Sequence, residues 1–166
     1  MSRGGRRTMV KAVEIERKFL VPSLPENLDE RRADQIRQGY LAIGPGGDEV
    51  RIRERGSKHF LTVKSGTGRT RTETEIELAA GQAESLWPAV GDRQLAKRRY
   101  LLEWQGSRIE LDVYSGVHSG LMMAEVEFAS EREADDFSPP PWFGREVTDD
   151  PRYKNQTLAL EGLPGS

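Results

Sequence analysis

A chain of 166 residues is long enough to bury a core and about the size of one domain. The net charge of −2 argues against a general nucleic-acid binder, which is normally clearly basic. The absence of cysteine excludes a disulfide framework, a thiolate metal site and a cysteine nucleophile, and two histidines are too few for a histidine-rich zinc or iron centre. With 31% charged residues, any metal would be held by carboxylates, which favours hard ions such as magnesium, manganese or calcium.

Residues 1–11 read as a flexible basic tail, with Met9 as an alternative start, and residues 12–166 as one domain. No apolar run approaches the roughly 20 residues of a membrane span, and none follows the basic start as a secretory signal would require. The expected location is the cytoplasm. In chain order, strands are predicted over residues 13–21, 35–43, 49–55, 59–64, 72–78, 94–104, 108–114 and 121–129. A polar loop over 23–32 holds a helical turn at most, and Gly66-Thr67-Gly68-Arg69 reads as a flexible loop. Helices are predicted over 79–90, where Ala83, Leu86 and Trp87 share a face, and over 131–137 and 155–160. Strands joined by tight turns favour an antiparallel meander that curls or closes.

The strands share one feature. Charge recurs at a period of two in Glu14-Ile15-Glu16-Arg17-Lys18, Arg51-Ile52-Arg53, Thr62-Val63-Lys64, Glu73-Thr74-Glu75-Ile76-Glu77, Lys97-Arg98-Arg99, Glu110-Leu111-Asp112 and Glu125-Val126-Glu127. Residues i and i+2 of a strand project from one face, so each stretch paints a face with charge while its neighbours, such as Ile52, Leu61, Ile109, Leu111 and Val126, paint the other with apolar groups. The apolar face must be buried. The charged face then meets either bulk water, as on an open sheet, or a cavity that holds a polyanion and metal ions; the pattern leaves both open.

Glu14 and Glu16 lie about 6.6–6.8 Å apart along such a strand, near enough to share a metal cluster, with Lys18 further along to meet a phosphate. Glu125 and Glu127 make a second metal-grade pair. Arg51, Arg53, Lys64, Lys97 and Arg99 are a cationic set suited to oligophosphate. Glu73, Glu75 and Glu77 are either ion-pair partners of those cations or water-mediated metal contacts. Lys18, beside several cations, is expected to have a lowered pKa that makes it a better proton acceptor. Taken singly, Tyr40 reads as a packed aromatic, His59 and His118 as surface residues, and the three tryptophans as packing. No nucleotide-binding P-loop and no serine nucleophile elbow is present.

Together these motifs resemble those of the CYTH superfamily, the triphosphate tunnel metalloenzymes. The likeness begins at the Glu-x-Glu-x-Lys strand, residues 14–18, and continues through Gln38-Gly39-Tyr40-Leu41, the charged strands above and Phe143-Gly144-Arg145-Glu146-Val147-Thr148 to Tyr153-Lys154-Asn155. It implies a closed eight-stranded antiparallel barrel whose charged residues line a tunnel. It further implies that Lys18, Arg51, Arg53, Lys64, Lys97, Arg99 and Lys154 bind a small-molecule triphosphate. Mg2+ or Mn2+ would be held by the acidic set Glu14, Glu16, Glu73, Glu75, Asp112, Glu125 and Glu127, and Lys18 with Tyr40 would form a catalytic dyad. The activity implied is hydrolysis of inorganic triphosphate, with adenylyl cyclase, thiamine-triphosphatase or a non-catalytic polyphosphate-binding module as alternatives. Neither nucleic acid nor a membrane is an expected partner, and a homodimer is one option for assembly.

Overall fold

A computed structural model describes residues 8–11, 14–65 and 72–165. The loop expected at residues 66–69 lies outside them. The described chain is mainly antiparallel β-structure with three α-helices, and it falls into two compact units, each with its own apolar core. None of its helices is long and apolar enough to cross a membrane.

The first unit comprises the chain up to Glu14 and Arg37–Gln94. Its strands are β1 (Thr8–Lys11), most of β3 (Asp34–Ile43), β4 (Glu49–Arg55), β5 (Lys58–Ser65) and β6 (Thr72–Leu78), in the order β1-β6-β5-β4-β3. The hairpin between β4 and β5 turns on Gly56, whose φ of 57° is a left-handed conformation that glycine adopts without steric cost. Ile52, Ala83 and Val90 are fully buried in this unit's core, with Leu41, Leu78, Leu86 and Trp87 packed against them. The helix expected over 79–90 is shorter: α1 spans Ala80–Leu86 and gives way to a 3-10 turn, Trp87–Ala89. Pro88 is the cause, since it has no N–H to donate and its ring obstructs the preceding helical turn. That turn lies so close to β3 that a Cβ at Gly39 would collide with Val90.

The second unit comprises Ile15–Ile36 and Leu95–Ser166. Here β2 (Ile15–Leu20), β7 (Gln94–Trp104), β8 (Ser107–Tyr114) and β9 (Met122–Phe128) run in the order β7-β8-β9-β2. Tyr100, Ile109, Leu111, Ala124, Val126 and Phe128 form the centre of its core. Helix α2 (Glu131–Asp136) is capped by Ser130, whose hydroxyl accepts from the Glu133 N–H at 3.2 Å. The chain beyond it pairs with the free edge of β2: Leu20 N–H donates to Arg145 O at 2.9 Å and Val147 N–H to Lys18 O at 2.8 Å. Helix α3 spans Asn155–Glu161.

Two expectations need correction. Thr8–Lys11, placed in the flexible tail, is a strand, because the outer edge of β6 offers its backbone a ladder of partners. With it the described residues hold nine strands, the eight expected and this one. His118, expected at the surface, is 2% exposed and sits 2.6 Å from the carbonyl oxygen of Leu158.

Candidate active site

The charged strand faces hold several deeply buried cations. Arg51 is 4% exposed, Lys97 1% and Arg99 7%. Cations so deeply buried need compensating carboxylates or an anion, since desolvating an isolated charge is prohibitive.

In the first unit, cross-strand register sets Glu49 opposite Lys64 and Lys64 opposite Glu73, so acid, base and acid form one row across β4, β5 and β6. Lys64 Nζ lies 3.6 Å from Glu14 and 3.9 Å from Glu73. The Arg51 guanidinium lies 3.9 Å from both Glu49 and Glu73, and among the described residues its buried Nε has no hydrogen-bond partner. These are long contacts. They neutralise Arg51 while leaving donor capacity for a phosphate oxygen. Glu75 accepts from the Thr62 hydroxyl at 3.3 Å, and Glu77 is exposed.

Tyr40 is 1% exposed and Gln38 is fully buried. Gln38 Nε2 donates to the Tyr40 hydroxyl oxygen at 3.0 Å, and its Oε1 accepts from Arg53 Nε at 3.2 Å and Nη2 at 3.1 Å. Burial above all pushes the Tyr40 phenol up to about 12, with Arg51 and Arg53 pulling the other way. At neutral pH the phenol is a hydrogen-bond donor and not a base. Arg37, with no role evident in the sequence, stacks 3.9 Å from the centre of the Trp87 ring and donates to Gln94.

In the second unit, Asp112 is 3% exposed and engages two cations. Lys97 Nζ donates to its Oδ2 at 2.6 Å, and Arg99 donates through Nε and Nη2 at 2.7 Å each. The remaining edge of Arg99 meets Glu110 at 2.5 Å. Asp112, expected among the metal-holding carboxylates, is thus an anchor for the two cations. Glu110, passed over in the sequence, is the second clamp on Arg99. The signal was present: Glu110 and Asp112 stand at i and i+2 on the strand that pairs with Arg99's own.

Lys18 Nζ lies 3.7 Å from Glu125. Burial opposes its charge, but Glu125, Glu16 and Asp112 outweigh that penalty, and the Lys18 pKa is raised. The expected lowering is overturned, because the groups nearest this ammonium are carboxylates. Glu125 answers in kind: burial pushes its carboxyl up, but Lys18, a hydrogen bond from Glu16, Arg99 and Lys97 hold it well below the usual range. Glu127, opposite Glu16 in register, and Lys154, just before α3, are exposed.

Two carboxylate pairs therefore exist, Glu14 with Glu73 and Glu16 with Glu125, each within hydrogen-bonding reach. No three histidine, aspartate or glutamate side chains form a ready-made cage among the described residues. Paired carboxylates fit a magnesium-like ion, which takes one or two protein carboxylates and fills its remaining positions with water and substrate phosphate. In Glu73, burial pushes the carboxyl up, while Glu14, Lys64 and Arg51 bring it below its ordinary value, so it is ionised and available as a ligand at neutral pH.

Comparison with known proteins agrees with this chemistry. An inorganic triphosphatase of Nitrosomonas europaea is 49% identical over 148 residues, which span 89% of this chain and 97% of that protein. An inorganic triphosphatase of Acetivibrio thermocellus is 37% identical over 147 residues, 87% of this chain and 92% of that protein. A crystal structure of an inorganic triphosphatase superposes with a TM-score of 0.71 at 46% identity, covering 90% of this chain and 96% of that one. The family model of the CYTH domain matches residues 12–159. The chain belongs to the CYTH domain family.

Proposed function

We propose that this protein is a divalent-metal-dependent inorganic triphosphatase, which adds water across a terminal phosphoanhydride to yield pyrophosphate and phosphate. The observation that carries the reading is the burial of Arg51 on a charged strand face, with only long contacts to Glu49 and Glu73. A solvated sheet has no use for desolvated cations, whereas a triphosphate does. The names borne by the two bacterial relatives support the same substrate.

In this reading the charged strand faces serve triphosphate binding, and residues from about 12 onward work as one functional domain. Arg51, Arg53 and Lys64 from the first unit, with Lys18, Lys97 and Arg99 from the second, offset the substrate's charge and stabilise what develops on the oxygens of the transferred phosphoryl group. Glu14 with Glu73, and Glu16 with Glu125, would hold Mg2+ or Mn2+, with Glu75 and the exposed Glu127 in supporting positions. When bound, such an ion neutralises phosphate oxygens and lowers the pKa of a coordinated water. Tyr40 donates its hydroxyl hydrogen to the reacting phosphate or to the attacking water. Lys18 remains an ammonium and orients that water in place of accepting its proton. Asp112 and Glu110 fix the directions of Lys97 and Arg99, and Lys154 draws the polyanion from solvent.

The test is phosphate release from inorganic triphosphate, ATP and thiamine triphosphate, each with Mg2+, with Mn2+ and in chelator. Inorganic triphosphate with a metal should be turned over fastest, and chelator should stop the reaction. Faster conversion of ATP to a cyclic nucleotide would assign the chain to the cyclases, and binding without turnover would make it a polyphosphate-binding module.

A further inference from the structure

Gln38 joins two groups that the reaction needs, and its chemistry dictates how. A guanidinium carries only donors, so the amide face turned to Arg53 must be the carbonyl oxygen, as its contacts of 3.2 and 3.1 Å require. The amide is therefore not free to flip, and its NH2 faces the Tyr40 hydroxyl at 3.0 Å. An amide NH2 has no lone pair to offer, so the phenol oxygen must accept there and its own hydrogen must point elsewhere. The phenol keeps that hydrogen at neutral pH, because burial holds its pKa at about 12. All three side chains belong to one unit, and Gln38 and Tyr40 share a face of β3 at i and i+2.

We propose that Gln38 is a positioning residue that turns the Tyr40 hydroxyl into a fixed donor for the triphosphate, with Arg53 as the group that locks the amide in the required sense. The assignment rests on the catalytic reading of Tyr40 given above. It explains why a neutral amide occupies a fully buried place beside an arginine where a carboxylate would pair more strongly. A carboxylate would accept from both neighbours, and the Tyr40 hydrogen would turn inward to it, away from the substrate.

The experiment is a double-mutant cycle read as kcat and KM with inorganic triphosphate and metal, on Gln38→Glu, Tyr40→Phe and the double variant. Gln38→Glu should lower kcat by the same factor as Tyr40→Phe, on the order of 10²-fold for one lost donor to developing charge, with KM changed far less. The double variant should be no slower than Tyr40→Phe alone. Thermal melts check that each variant is folded. Should Gln38→Glu fail to fold, Gln38→Met carries the same cycle, again with a loss of kcat that vanishes in the Tyr40→Phe background. A parental kcat in Gln38→Glu beside a slow Tyr40→Phe would overturn the assignment. An equal loss in both backgrounds would do the same, since the effect would not pass through Tyr40. If Tyr40→Phe itself keeps the parental kcat, the catalytic reading of Tyr40 fails, and this assignment falls with it.

Discussion

Replacing Asp112 by asparagine separates two roles that a carboxylate on a charged strand can have. In the structure the Asp112 oxygens receive three hydrogen bonds of 2.6–2.7 Å from two cations, in surroundings that leave the residue 3% exposed. Asparagine has nearly the same shape, but one of those oxygens becomes an NH2 that faces an N–H donor, and a buried negative charge is lost between Lys97 and Arg99. Removing one partner of a buried ion pair costs about 3–5 kcal/mol, because the remaining charge is left uncompensated. For a chain of this length each kcal/mol lowers the melting temperature by about 2–4 °C, so Asp112→Asn should melt roughly 6–20 °C below the parent. The loss should be the same in chelator and in metal.

The pH dependence gives a second check. Burial raises the Asp112 pKa, but Lys97 and Arg99 outweigh it and leave the pKa below its ordinary value. A carboxyl whose folded pKa is depressed stabilises the fold fully above the unfolded value of about 3.9 and loses that contribution as the pH falls through the folded one. The gap between parent and variant should hold from neutral pH down to about 5 and narrow only below about 4. Circular-dichroism melts, with Mn2+ binding followed by the free-ion paramagnetic signal, measure both quantities. A variant that melts within about 2 °C of the parent in chelator, yet binds Mn2+ about tenfold more weakly, would refute the anchor role and restore Asp112 to the metal ligands.

Glu14→Gln and Glu16→Gln should each cut phosphate release sharply in a steady-state assay; parental rates in both variants at saturating Mg2+ would count against carboxylate-held metal. Gly39→Ala should lower stability by about 1–3 kcal/mol through overpacking against Val90, and trimming that neighbour in Gly39→Ala/Val90→Ala should recover part of the loss in a thermal melt. Ultraviolet titration should show one phenol ionising near 12 that is missing in Tyr40→Phe. Since the unfolded chain releases that proton from about pH 10, stability should also fall as the pH rises above about 10, and less so in Tyr40→Phe.

The strands were legible because charge and apolar side chains alternate along them, and alternation has one structural meaning. The predicted bounds of β4, β6 and β7 coincide with the observed ones, since each ends at a turn residue or a break in the alternation. Thr8–Lys11 carries no such pattern. Four residues with no alternation become a strand only because β6 has an edge to offer, and a sequence window does not contain that edge. His118 is a similar case: the group that buries it lies 40 residues away, on a helix that packs back over it.

Side-chain roles were less legible than faces, for a physical reason. A period of two assigns a residue to a face, but its chemistry depends on what stands across the strand and one register step away. Asp112 and Glu16 look alike in the sequence, as carboxylates on charged strands. Across from Asp112 stands Arg99, with Lys97 two residues along, so its charge is taken up by two cations. Across from Glu16 stands Glu127, and its carboxyl meets that of Glu125, so acid faces acid. Lys18 shows the converse. Counted along the sequence it belongs to a cationic set that should strip its proton, yet register places Glu125 directly across from it, and the proton is held. Only the pairings of β7 with β8 and of β2 with β9 decide which of these charges meet. The proposed role of Lys18 as a water-orienting ammonium rests on the pairing of β2 with β9.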